Sequence, residues 1–328
     1  PSWFDSDDVY TRIEIGNGPA RDRRASAITV AGGTPIVGTL DARNGDGDGI
    51  WLATAAEEDG WRWRAYRTAD DGLPSNHVTA VAEEPGGDVI WFGLRARGVA
   101  RWDRRADSWT SWRAYADAGR VARVRAPAAA GADRVTVDIP SAAAFAQAFP
   151  DGDDHLRLGA SPTIHRVMAY TPLADGLSGQ LTLSPTLAAD VADDAVVARV
   201  TRGPAGDRTT QLAVRGRDDV WLGALRNDRL YQLTGSPPSC ERYPDCWLDG
   251  GLSRGDGAGW KVFDPTNSPL AYRETVAVEV DAAGRVWAAV GNLVETGVGL
   301  AVLDPSSGAW RAHTVTADFN AGNGVSDL

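Results

Sequence analysis

Lysine is nearly missing from this chain. Lys261 is the only one among 33 basic residues, and the rest are arginine, which reads as codon bias rather than function. Methionine occurs once, at Met168, and the sequence opens on Pro1. The expectation is therefore a processed, truncated or incompletely represented chain. Histidine is sparse: His77, His155, His165 and His313 share no metal spacing and sit near no nucleophile motif. No Gly-Lys-Ser/Thr phosphate loop and no Gly-x-Ser-x-Gly elbow occurs. No apolar run reaches the length of a membrane-spanning helix. Positive charge is also short, with a net charge of −11, which argues against nonspecific binding to nucleic acid or anionic membrane. Helical periodicity is scarce, and Ser141 to Phe149 is the best candidate.

What is present is a recurring phrase. Val78-Thr79-Ala80-Val81 is followed by Val89-Ile90-Trp91-Phe92-Gly93, then Gly98 to Asp103, then the aromatic stretch Trp109 to Tyr115. Trp91 aligns with Trp221 and Trp287, and a degenerate copy places Ile36 there. The raw spacings are 55, 130 and 66 residues. Removing an extra segment from each (Asp41 to Gly49, Asp117 to about Gly206, Gly235 to Asp256) leaves roughly 44, the size of a four-stranded propeller blade. Ala27 to Val30, Val78 to Val81, Gln211 to Val214 and Thr275 to Val278 are short, β-branched and partly alternating, as buried inner strands should be. The expected fold is all-β: about four blade-like repeats of a β-propeller, incomplete or completed by a partner, with an inserted small β domain. Boundaries fall at 1–116 for the first two blades with an N-terminal outer strand, 117–206 for the insertion, and 207–328 for the last two blades. The insertion reads as about five strands forming a sandwich or barrel, or as one irregular blade.

Gly72-Leu73-Pro74-Ser75-Asn76, followed by Val78, Ile90-Trp91-Phe92-Gly93 and Gly98-Val99, resembles the two-component regulator propeller repeat. The copy at Asn267 to Leu270 is looser, with Ala288-Ala289 in place of the Ile-Gly pair. The copy at Trp221 lacks the Pro-Ser-Asn turn. The resemblance implies propeller blades on an exported protein that is extracellular, at the cell surface or periplasmic. It brings no catalytic residues, because the motif positions are structural.

Propeller topology sorts the insertions by face. The segments Asp41 to Gly49, Asp117 to Gly206 and Gly291 to Thr296 are expected on one face. The cysteine loop, read as joining third to fourth strand, is expected on the other. Tyr10 to Ile15 looks like an orphan outer strand, and Gly324 to Leu328 like the opening turn of a further blade. Both ends are therefore expected to be assembly surfaces.

Asn44-Gly45-Asp46-Gly47-Asp48-Gly49-Ile50 places side-chain oxygens at alternate positions before a glycine, the pattern of a calcium loop. Asp41, Asn44, Asp46, Asp48 and the Ile50 carbonyl are the candidate ligands for Ca2+. The usual twelfth-position Glu is missing, since Ala55 stands there, and a flexible acidic turn is the alternative. Asp151 to Asp154 is a weaker acidic turn. Cys240 and Cys246, the only cysteines, read as a local disulfide or as two free thiols. Thirteen tryptophans, among them Trp61, Trp63, Trp109 and Trp112, read as packing between blades or as platforms for a carbohydrate or small ligand. The functional expectation is a non-enzymatic interaction or structural module, binding a protein partner or copies of itself. A ligand-sensing propeller of a two-component-type receptor and a propeller-fold polysaccharide lyase or glycosidase are the alternatives.

Overall fold

The computed structural model describes residues 23–41, 47–57, 60–68, 71–95, 97–150, 155–161, 163–225, 250–257, 259–265, 267–270, 274–291 and 298–314. The strands form four separate four-stranded antiparallel meanders and one six-stranded sheet. The first meander is β1 (Arg23–Ala31), β2 (Thr34–Asp41), β3 (Ile50–Glu57) and β4 (Gly60–Tyr66). The second is β5 (Val78–Glu83), β6 (Val89–Leu94), β7 (Val99–Asp103) and β8 (Ser108–Trp112). After the six-stranded sheet comes the third: β15 (Arg208–Gly216), β16 (Asp219–Leu225), β17 (Gly251–Gly255) and β18 (Trp260–Phe263). The fourth is β19 (Thr275–Val280), β20 (Val286–Gly291), β21 (Val298–Asp304) and β22 (Ala309–Thr314). Each meander is called a leaflet below.

The leaflets pack face to face in sequence order, led by their first strands: β1 on β5, β5 on β15, and β15 on β19. Three apolar cores lie between them. Ile36, Leu52, Val78, Ile90 and Phe92 belong to the first, Trp91, Leu212 and Leu222 to the second, and Trp221, Val278 and Ala288 to the third. No packing of comparable extent joins the fourth leaflet to the first among the described residues.

A glycine leads the third strand for a steric reason. At Gly49, Gly98 and Gly251 the φ values are +78°, +72° and +132°. A Cβ there would lie 2.1, 2.1 and 2.5 Å from the carbonyl oxygens of Tyr66, Trp112 and Phe263, the partner residues on the fourth strands. This corrects the placement of the cysteine loop. The third strand of the third leaflet is Gly251–Gly255, so residues 226–249 join second to third strand, as the acidic loop does. The Gly250-Gly251 pair carries the same signal as Gly49 and Gly98, and sequence reading had absorbed it into the loop.

The six-stranded sheet comprises β9 (Tyr115–Arg123), β10 (Arg134–Val137), β11 (His155–Leu158), β12 (His165–Pro172), β13 (Gly179–Ser184) and β14 (Val196–Arg202). Its order is β10-β13-β12-β11-β14-β9. The sixth strand, β9, begins where sequence reading expected the blade junction. A single bridge, Val124 to Val137, joins the two edges, and no closed barrel forms among the described residues. The helix α1 (Ala142–Ala148) follows Ser141, whose hydroxyl accepts the Ala144 N–H at 3.1 Å as an N-cap. This sheet has its own apolar core, including Val135, Leu156, Leu181 and Val197.

Candidate functional site

The leaflet junctions repeat the same parts. In the second strand, alternate residues point to opposite neighbours. Ile36, Trp91 and Trp221 face the following leaflet, while Phe92, Leu222 and Ala288 face the preceding one. The indole of Trp91 donates to Glu84 Oε1 at 2.8 Å, and Arg101 Nε donates to the same oxygen at 3.3 Å. Trp221 donates to Asp219 Oδ1 at 2.8 Å, shared with Arg254 Nε at 3.1 Å. Trp287 donates to Asp281 Oδ2 at 2.9 Å, shared with Arg285 Nε at 2.7 Å. Each tryptophan thus has its polar edge satisfied, and the rings of Trp91 and Trp221 pack in the junctions while Trp287 is half-buried. The Trp287 and Arg285 hydrogen bonds hold the Asp281 carboxyl down at about 2, against the pull of desolvation.

Close approach of first strands requires two further features. Gly38, Gly93 and Gly223 are bare because an added Cβ would meet Val78 at 2.5 Å, Thr209 at 2.7 Å and the Thr275 carbonyl oxygen at 2.9 Å. Beside them, a hydroxyl in the first-strand bulge crosses to the next leaflet. Ser26 donates to the Val78 carbonyl at 2.5 Å, Thr79 to that of Thr209 at 2.6 Å, and Thr210 to that of Thr275 at 2.8 Å. The fourth leaflet departs at both places. Ala289 replaces the glycine and Val276 the hydroxyl. Its outer face is therefore not equipped for another junction of this kind.

The opposite end of the series is different. Ile28 pairs with Val37, as Leu212 pairs with Leu222 and Val278 with Ala288. Leu212 and Val278 are buried between leaflets, whereas Ile28 is 62% and Val30 55% exposed. On the outer strand, Trp63 sits one column along from Tyr66's strand mates, in the position of Trp109, Trp260 and Trp310. Ile28, Val30 and Trp63 therefore form the face that receives a preceding leaflet, with no leaflet on it among the described residues. This apolar face is the candidate interaction site.

Sequence reading placed Ile28 and Val30 in a buried inner strand, and the structure corrects this: both are exposed, because among the described residues no leaflet packs on that side. Of the outer-strand tryptophans named from the sequence, Trp109 stacks on Trp102 at 5.4 Å and Trp112 on Trp91 at 5.3 Å, both as junction packing. Beside them, Glu84 accepts from Trp91 and Arg101.

The candidate calcium ligands lie only partly within the described residues. Asn44 and Asp46 lie outside them, as does the side chain of Asp41. Asp48 is buried, and Arg67 holds both its oxygens, at 2.9 and 3.2 Å. Its N–H donates to the Thr39 hydroxyl at 2.8 Å. Ile50 opens β3, paired with Gly38 and Tyr66. No group of three or more metal-ligating side chains occurs among the described residues. Asp151 to Asp154, Cys240, Cys246, Tyr10 to Ile15 and Gly324 to Leu328 also lie outside the described residues. No described helix is long and apolar enough to cross a membrane.

No protein-family model matches the chain, and no curated protein matches it. Among solved structures, it is similar to the extracellular domain of a putative hybrid two-component system from B. thetaiotaomicron, at 13% identity and TM-score 0.24, over 90% of this chain and 34% of that one. It is similar to the phage phi92 endosialidase at 10% identity and TM-score 0.29, over 88% of this chain and 46% of that one. It is also similar to the WD40 repeats of RRP9 at 11% identity and TM-score 0.27, over 94% of this chain and 87% of that one. The chain thus spans about a third and under a half of the first two. With likenesses this low, the functional reading rests on the chain's own residues.

Proposed function

We propose that this chain is a non-enzymatic, extracytoplasmic interaction module: a run of β-propeller blades that pairs with a second copy of itself. One observation carries the reading. The first leaflet presents Ile28 to solvent at a position that is buried at later junctions, in Leu212 and Val278, and Val30 is exposed beside it. Burying an aliphatic side chain of this size stabilises by about 1.5–3 kcal/mol, so leaving two exposed is costly unless something covers them. The fourth leaflet is a poor complement, because Ala289 and Val276 replace the glycine and hydroxyl that junctions use. Pairing of two first leaflets about a two-fold axis is the remaining self-complementary solution, and it closes at a dimer. Sedimentation velocity tests this. The expected result is a concentration-dependent monomer–dimer equilibrium that Ile28→Asp abolishes. A monomer at all concentrations, or an open-ended series of larger species, would contradict it.

A ligand-sensing role is the second reading. It is favoured by a recess at the junction between the second and third leaflets.

A further inference from the structure

Three junctions are built from equivalent parts, and one of them omits a part. In each, a third-strand residue of the later leaflet stands beside its outer-strand tryptophan. At the first junction this pair is Trp102 and Trp109, and at the third it is Leu303 and Trp310. At the second junction the pair is Gly255 and Trp260. Beside this pair lies a recess of about 240 Å³, lined in part by Trp91, Arg101, Trp112, Arg217 and Trp260. Trp260 lies directly over the bare glycine: a Cβ at Gly255 would stand 3.1 to 3.4 Å from its ring atoms.

The walls are aromatic. Trp91 and Trp112 stack at 5.3 Å, and Trp260 stands edge-on to both, at 6.3 and 6.0 Å. The polar groups at the recess are two guanidiniums, the Thr110 hydroxyl and the backbone of Gly255, Gly257 and Gly259. Arg101 spends its Nε on Glu84. Arg217 forms no ion pair or hydrogen bond among the described residues. The nearby acids are largely engaged. Glu84 accepts from Trp91 and Arg101, Asp219 from Trp221 and Arg254, and Asp256 from the Gly259 N–H. Asp218 sits at the edge, against Gly257. Among the described residues no carboxylate lines the recess itself. In a chain of net charge −11, this is a local site for an anion.

We propose that the recess binds one small carboxylated ring. The ring face packs on Trp112 and Trp260, and the carboxylate pairs with Arg217, with Arg101 beside it. The volume falls below the roughly 300 Å³ at which pockets for larger ligands begin, which fits a single ring. Thr110 and the glycine backbone supply hydrogen bonds for ring hydroxyls. The inference deepens the ligand-sensing reading and is independent of pairing through Ile28.

Tryptophan fluorescence and calorimetric titration with galacturonate, galactose and benzoate test it. Saturable binding of galacturonate or benzoate, with none for galactose, is expected. Galacturonate alone would assign a sugar acid and benzoate alone an aromatic acid. Arg217→Ala, in an exposed turn, should weaken binding at least about tenfold. Gly255→Leu, which restores the residue type of the third junction, should abolish it while the protein still melts cooperatively. Binding of neither acid, or binding undiminished in Arg217→Ala, would overturn the proposal. Sedimentation of the same samples reports pairing separately, so the two readings fail independently.

Discussion

Ile28 and Val278 hold the same place in their leaflets, yet Ile28 is 62% exposed and Val278 is fully buried. Each lies opposite the second-strand residue of the preceding-facing side, Val37 and Ala288 respectively. The difference is what lies beyond: the third leaflet covers Val278, and among the described residues no leaflet covers Ile28. An aspartate at position 28 should therefore cost little fold stability in the monomer, within about 0.5 kcal/mol as for ordinary surface substitutions. The same change at Val278 should be strongly destabilising, because it buries an unpaired charge. Thermal melting of Ile28→Asp and Val278→Asp checks the contrast.

Gly93 should tolerate no side chain. A Cβ there meets the Thr209 methyl at 2.7 Å and Ala80 at 3.0 Å. Gly93→Val should overpack the second junction and cost about 1–3 kcal/mol or more. The corresponding change in the fourth leaflet, Ala289→Val, meets no following leaflet and should cost less. Urea midpoints of the two variants give the comparison.

Asp281 fixes an acid limb to the stability profile. Its folded carboxyl titrates at about 2, held down first by the Trp287 indole and then by Arg285, against 3.8 ordinarily. A depressed carboxylate contributes stability that is full above about pH 4 and is lost as pH falls towards 2. Asp304, lowered to about 2 by Ser306 and Ser307, acts in the same window and direction. Asp281→Asn should reduce stability near neutral pH, and its difference from the parent should shrink below pH 4. Tryptophan fluorescence during denaturation across pH 2 to 6 reads both points.

Asp48 separates an ion pair from a metal site. Arg67 clamps both carboxylate oxygens, so Asp48→Ala should lower stability by about 1.5–3 kcal/mol with or without calcium. Loss of Asp46 together with Asp48 should remove any calcium-dependent rise in melting temperature. An unchanged parent melting point in calcium and in chelator would leave the acidic loop as a turn.

The repeat was legible because its tryptophans and glycines answer local demands. Trp91, Trp221 and Trp287 hold the same second-strand position, each with a carboxylate and an arginine at its indole nitrogen, and Trp91 and Trp221 pack in junctions. Gly98 was readable as the start of a third strand, where backbone crowding admits nothing larger, whereas Gly49 was read into the acidic loop. Gly251 was overlooked because a long, glycine- and proline-containing segment precedes it. The strand β9 was also hidden, since Tyr115 continues an aromatic run from β8 while pairing with Arg202 in another sheet. The exposed face and the recess were illegible for a different reason. Both are defined by what fails to stand opposite a residue, Ile28 in one case and Gly255 in the other, and that is settled only by packing.

A photo-crosslinking amino acid at position 28 tests the central claim most directly. Mixed light- and heavy-isotope copies are irradiated, and the joined peptides are identified by mass spectrometry. Two-fold pairing predicts crosslinks between copies, to residues of the other copy's first leaflet around Val30 and Trp63. Crosslinks confined to single chains, or directed to the fourth leaflet around Trp287, would contradict it.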